Sequence, residues 1–250
     1  GPLIDEIQEN VDLIDLGCSS FSQAVFLLVR YYKKHRPLVI LTSVYATGLA
    51  AVAAKIVSGY KPKVVIGAHN SLQAKFERPD NIKDKYLLKL LCKLLFPWAD
   101  GFIAVSEYVK LHTSKFLSYN NKPIKVLMSP INLDIFKPNP EVKVEPDTIL
   151  FAGTVCEKKG VGQLIKAMPK VLKDYPEANL FVYGRDWYFK DGSSYINYLK
   201  NDVIPKLNGI SKHIHFMGAV AINDLINKYA SAEVCVFPSL METQGLVAPE

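Results

Sequence analysis

VFPSLMETQGLVAPE, residues 236–250, decides how the rest of the chain is read. Its apolar lead-in predicts a short buried strand over Val234–Phe237, then a turn opened by Pro238-Ser239, then the start of a helix. Glu242 and Glu250 bracket seven residues, with Gly245, Leu246 and Val247 between them. A glycine where a loop becomes a helix lets a ligand approach the backbone, and the free N–H groups of the first helical turn suit a phosphate. Carboxylates beside a phosphate need hydroxyl groups to bind. A sugar nucleotide offers both, a diphosphate for the N–H groups and ribose and hexose hydroxyls for the two glutamates.

Working outward, strands alternate with helices. VDLIDLG (11–17) reads as a strand and FSQAVFLLVRYYKKHR (21–36) as an amphipathic helix. PLVILTS (37–43) reads as a buried parallel strand, and a helix follows over 46–59. VVIGAHN (64–70) is the next strand, then a Lys/Leu helix (82–96), strand GFIAVS (101–106), a helix over 107–117 and strand IKVLMSP (124–130). Pro138, Pro140 and Pro146 mark a linker at 138–147. The second half repeats the pattern with strands at 148–154, 178–184, 213–218 and 233–239, and helices at 160–175, 194–207 and 222–232. The expectation is α/β, with two Rossmann-like, doubly wound parallel sheets facing one cleft, in domains 1–137 and 148–250.

The totals narrow the function. A net charge of +6 fits anionic substrates or an acidic membrane surface and is too mild to argue for nucleic acid. Cys18, Cys92, Cys156 and Cys235 are scattered, which argues against a zinc site or a disulfide framework and for a reducing, cytoplasmic compartment. Gly1-Pro2 leads into acidic IDEIQENVD, so no signal peptide is read. The apolar tract 38–54 contains Thr42, Ser43, Thr47 and Gly48 and reads as strand plus helix rather than a membrane span.

With strand, Pro-Ser turn, Gly-Leu-Val and both glutamates in place, 236–250 resembles the signature of the retaining, GT-B-fold glycosyltransferases of the group 1 family (glycosyltransferase family 4 type). FAGTVCEKKG (151–160) is similar to the family's Gly-Arg…Lys-Gly element, in which two cations neutralise the donor diphosphate. Lys159 fits that element; Thr154 stands where the arginine would be, with Lys158 or Arg185 as compensating cations. In MGAVA (217–221) the resemblance implies that Ala219 and Val220 meet the nucleobase. It places Gly245, Leu246 and Val247 at the diphosphate, Glu250 at the ribose and Glu242 at the hexose hydroxyls. His69, in AHN (68–70), would orient the sugar or acceptor. The segments 99–116 and 128–138 resemble family fold markers, with Ser129 and Asn132 departing from the usual residues.

The resemblance implies transfer of a hexose from a nucleoside-diphosphate sugar to a saccharide or lipid-linked saccharide, with retention, without metal or cofactor, in polysaccharide or glycoconjugate biosynthesis. It also implies that both ends are cut, since a family member begins with a strand and glycine-rich loop and continues beyond the second glutamate. Lys85, Lys89 and Lys93 lie four apart in 82–98 and offer a peripheral membrane contact, or simply a solvated face over leucines packed in the core. A nicotinamide- or flavin-binding protein is the weakest rival, because no G-x-G-x-x-G follows a strand. The other alternative is a non-catalytic nucleotide-binding fragment.

Overall fold

Ser20 holds an extended backbone and its hydroxyl accepts the Gln23 N–H, so the first helix, α1 (Phe21–His35), begins there. It closes on Lys33, Lys34 and His35, whose charge suits the helix's negative end. The computed structural model describes residues 10–69, 82–116, 122–137, 139–189, 191–240 and 242–245. It divides the chain into two compact units, Gly1–Met128 and Ser129–Glu250.

In the first unit α1 is followed by β1 (Val39–Thr42), α2 (Tyr45–Ser58), β2 (Lys63–Ala68), α3 (Ile82–Leu95), β3 (Gly101–Ala104), α4 (Glu107–Phe116) and β4 (Ile124–Val126). The strands pair in the order β1-β2-β3-β4, all parallel. Leu49 and Val52 of α2, Ile66 of β2, Phe102 of β3 and Val109 of α4 close one core around Phe96. Asp100, on the turn into β3, accepts Lys55 Nζ at 2.6 Å and the Val64 N–H at 2.7 Å. Burial raises the Asp100 carboxyl, but the Lys55 and Val64 hydrogen bonds and the charges of Lys55 and Lys122 outweigh it and hold the group below the usual range.

The second unit runs β5 (Glu145–Ala152), α5 (Val161–Asp174), β6 (Asn179–Tyr183), α6 (Tyr195–Tyr198), β7 (Ile214–Gly218), α7 (Ile222–Ser231) and β8 (Ala232–Cys235). The strand order is β7-β6-β5-β8, again all parallel. Alternation along β5 serves two cores. Ile149 and Phe151 pack with α5 and Leu180, whereas Leu150 and Ala152 pack with Tyr183 and Ala232 on the other face. The chain starts in the middle of this sheet, winds outward through β6 and β7, then returns to the far side of β5. The strand order therefore reverses between β5 and β8, and in open α/β sheets the carboxyl ends of the strands at such a reversal are where ligands bind.

Several expectations need correcting. Residues 11–17 form no strand; Val11, Leu13 and Ile14 are exposed. β1 and β8 are parallel strands but not buried ones. They are edge strands of the sheets described, and Leu41 and Val234 are exposed. The linker 138–147 overlaps the start of β5, and residues 129–144 belong to the second unit, where Asn139 donates its side-chain amide to Asn227. The helix expected over 194–207 is composite, with α6 running into a π-helical turn (Leu199–Val203) and a 3-10 turn (Ile204–Lys206). Along α3, Leu88, Leu91 and Leu95 pack on the core, whereas Leu87, Leu90 and Leu94 are exposed like Lys89 and Lys93. The leucines are thus split between core and surface. Asn70, Pro138, the Lys85 side chain, Leu246, Val247 and Glu250 lie outside the described residues.

Candidate functional site

Lys159 and Glu242 meet. The Lys159 ammonium donates to Glu242 Oε1 at 2.6 Å, joining the loop after β5 to the loop after β8 across 83 residues of sequence. Both side chains are partly exposed, so the pair adds ~0–1 kcal/mol to stability and serves mainly to fix position. The backbone carries more of the load. The Leu240 N–H donates to the Lys158 carbonyl at 2.9 Å, and Val236 donates to Leu150 at 2.8 Å, extending the sheet past β8. Gly160 has φ +74°, and a Cβ there would stand 1.9 Å from the Pro238 carbonyl oxygen. Glycine is what lets these two loops touch.

The neighbouring strand ends are laced together in the same way. Gly153 donates to the Tyr183 carbonyl, Val155 to the Arg185 carbonyl and Gly184 to the Gly218 carbonyl. Gly184, at φ +145°, passes so close to Gly153 that a Cβ would fall 1.8 Å from its carbonyl oxygen. This lacing draws half-buried Thr154, exposed Arg185 and exposed Ala219 and Val220 into one row at the carboxyl ends of β5, β6 and β7. Lys159 and Glu242 stand at the β5–β8 reversal beside that row. Tyr183 and Tyr195 are buried in this unit's two cores, and burial raises both phenols, Tyr195 up to about 12 with Glu157 nearby.

Gln244 was not foreseen. Its side chain clamps one backbone residue, Oε1 accepting the Ser129 N–H at 3.0 Å and Nε2 donating to the Ser129 carbonyl at 2.9 Å. A carboxamide matches a peptide group donor for acceptor, which was the available signal. Nothing local, however, names a partner 115 residues away. Gly245 follows at φ +73°, and no helix has begun by that residue, so the helix expected after the Pro-Ser turn is absent over 242–245. His69 follows β2 in the first unit and is exposed; the remaining candidates all belong to the second unit.

Comparison with known proteins shows the family and the fold. The family model described as Glycosyltransferase Family 4 matches residues 7–135, and that described as Glycosyl transferases group 1 matches 146–250. The chain belongs to the group 1, family 4 type glycosyltransferases. Among curated relatives it is 31% identical over 160 residues to MJ1607 of Methanocaldococcus jannaschii, itself described only as an uncharacterized glycosyltransferase. That match takes in 59% of this chain and 38% of MJ1607. The fold is also that of sucrose-phosphate synthase from Thermosynechococcus elongatus, with a TM-score of 0.73 at 19% identity, covering 91% of this chain and 57% of that one. Anabaena HepE, solved in complex with UDP and glucose, gives a TM-score of 0.67 at 16% identity over 92% of this chain and 60% of its own. The fold is GT-B, and the chain spans about 38–60% of the lengths of these glycosyltransferases and fold neighbours.

Proposed function

We propose that the second unit holds a nucleoside-diphosphate sugar at the β5–β8 reversal, and that the whole protein transfers the hexose to a hydroxyl acceptor with retention. The observation that carries this is the Lys159–Glu242 contact at 2.6 Å, which sets a cation and a carboxylate side by side at the strand ends. An ammonium has three donors, so Lys159 can serve a diphosphate while keeping Glu242. Glu242 then faces hexose hydroxyls, and Thr154, Arg185 and the Gly245 N–H add further donors for the phosphates. Ala219 and Val220, beyond β7, would line the base. Leu246, Val247 and Glu250 complete the site by family resemblance, with Glu250 at the ribose.

In the reaction, the bond from the anomeric carbon to the phosphate oxygen breaks and a bond to the acceptor oxygen forms on the same face. The acceptor's proton passes to the departing diphosphate, so no enzymic base is needed. Charge on the leaving group is met by Lys159 and backbone N–H groups, and no metal or cofactor enters this reading. His69 would orient the sugar or acceptor.

The acceptor we favour is a saccharide, free or lipid-linked, in polysaccharide or glycoconjugate synthesis. Exposed Leu87, Leu90, Leu94 and Trp98 beside exposed Lys89 and Lys93 would suit peripheral contact with anionic lipid. No described helix is long and apolar enough to cross a membrane. All four cysteines are free thiols, which supports a reducing compartment and cytoplasmic work. A thermal-shift panel of UDP, GDP, ADP and dTDP with their sugars tests the donor reading. One nucleotide should raise the melting temperature of this chain, and Lys159→Ala should abolish the rise. A rise that survives Lys159→Ala refutes the site. Nucleotide binding with no transfer by the whole protein would leave a binding module only.

A further inference from the structure

The segment between β6 and β7 builds something the donor reading does not use. After Gly184 the chain makes a small antiparallel hairpin, in which Tyr195 donates to Trp187, Phe189 to Ser193 and Gly192 to Phe189. The hairpin leads straight into α6. Between them lies a cavity of about 670 Å³, within the ~300–1,000 Å³ of small-ligand sites. Asp186, Tyr188 and Phe189 line it from the hairpin, and Asn197, Tyr198 and Asp202 from the helix.

The chemistry of that lining is specific. Tyr188, Phe189 and Tyr198 are 60, 39 and 43% exposed, which is unusual for three aromatics around one hollow. Phe189 and Tyr198 meet edge to face at 6.0 Å, so their rings are held rather than free. Tyr198 and Asp202 stand four apart, and the turn carrying Asp202 is π-helical, with the Ile204 N–H bonded back five residues to Leu199. Such turns are frequent at functional sites. Asp186 is a built acceptor, taking the Ser194 hydroxyl on one oxygen and the Ile196 N–H on the other.

No lysine or arginine is among the described lining residues, while two carboxylates are. Asp186 and Asp202, both on the lining, disfavour a phosphate there and favour a ligand rich in hydroxyl groups. Aromatic faces take the C–H face of a pyranose ring, and carboxylates and carboxamides take its hydroxyl groups. We propose that the hollow lined by Asp186, Tyr188, Phe189, Asn197, Tyr198 and Asp202 is a binding site for an uncharged pyranose saccharide. It opens beside the strand-end row, since Asp186 is bridged to Val155 in the loop after β5. A glycan bound there would lie at the same end of the sheet as Lys159. The inference stands on the hollow's own chemistry and not on the donor assignment.

Saturation-transfer NMR on this chain with maltotriose, cellotriose and triacetylchitotriose tests it. At least one should receive saturation, undiminished by added UDP. Tyr188→Ala and Asp202→Asn alter exposed side chains and should each weaken binding about tenfold, a loss of ~1.4 kcal/mol, while leaving the melting temperature unchanged. No transfer to any of the three, transfer equal in both variants, or transfer abolished by UDP would each overturn the proposal. A nucleotide shift that fails while saccharide binding persists would strike only the donor reading.

Discussion

Replacing Gly160 by alanine should unseat the loop after β5, and the size of the effect follows from two separable terms. The first is conformational. At φ +74° an L-residue costs ~1–2 kcal/mol. The second is contact. The new Cβ would lie 1.9 Å from the Pro238 carbonyl oxygen and 2.7 Å from its carbon, both backbone atoms that no side-chain rotation can move aside. Relief requires the 158–160 and 238–240 segments to part, at an overpacking cost of ~1–3 kcal/mol and with loss of the Leu240-to-Lys158 hydrogen bond, worth ~0.5–1.5 kcal/mol. Gly209 supplies the control. Its φ is +76°, yet a Cβ there meets nothing within 4 Å, so Gly209→Ala carries the first term alone. The gain from a stiffer unfolded chain is the same in both variants and cancels. The difference, ~2–4 kcal/mol, should place the Gly160→Ala melting midpoint on the order of 10 °C below that of Gly209→Ala. Calorimetry on the two variants decides it. Coincident midpoints would refute the close approach of the two loops and, with it, the placement of Lys159 beside Glu242.

Glu242→Ala should leave UDP or GDP binding unchanged or tighter, because it removes a carboxylate beside the phosphates, while the extra affinity of the matching sugar nucleotide falls about tenfold, ~1.4 kcal/mol; isothermal titration with both ligands checks the pair. Gln244→Ala should cost ~1–3 kcal/mol, two hydrogen bonds to Ser129, in a denaturant melt, whereas Gln244→Glu should do no better because a carboxylate cannot donate to the Ser129 carbonyl. Asp100 titrates below its unfolded value, so its stabilisation is complete above the ordinary carboxylate range and disappears as pH falls through the lowered folded value. Asp100→Asn should therefore flatten the acid limb of the urea midpoint against pH by up to ~1 kcal/mol, discounted for a carboxylate 40% exposed, and equal slopes in both proteins would refute it.

Periodicity located nearly every strand and helix, because alternating β and α segments with apolar runs leave a strong local imprint. VDLIDLG failed for a physical reason. It is rich in Val, Leu and Ile as a strand would be, but a strand needs a partner ladder, and no described strand pairs with it. The burial of β1 and β8 was misjudged on the same footing, since a β-branched run reports propensity, and only the strand order says which strands lie at an edge. Lys159 and Glu242 were singled out because each lies in a short stretch that resembles a family motif. What the sequence could not say is that they touch. That contact rests on Gly160 meeting Pro238, on Gln244 meeting Ser129, and on the reversal of strand order between β5 and β8. All three are long-range and none has a local signature. The hairpin hollow shows the converse. Its aromatics and acids were plain in DWYFKDGSSYINYLKND, but no spacing within the run marks them as a site. Only folding the stretch back on itself brings Asp186 to the start of α6, and turns a polar, aromatic run into a concave site with fixed acceptors.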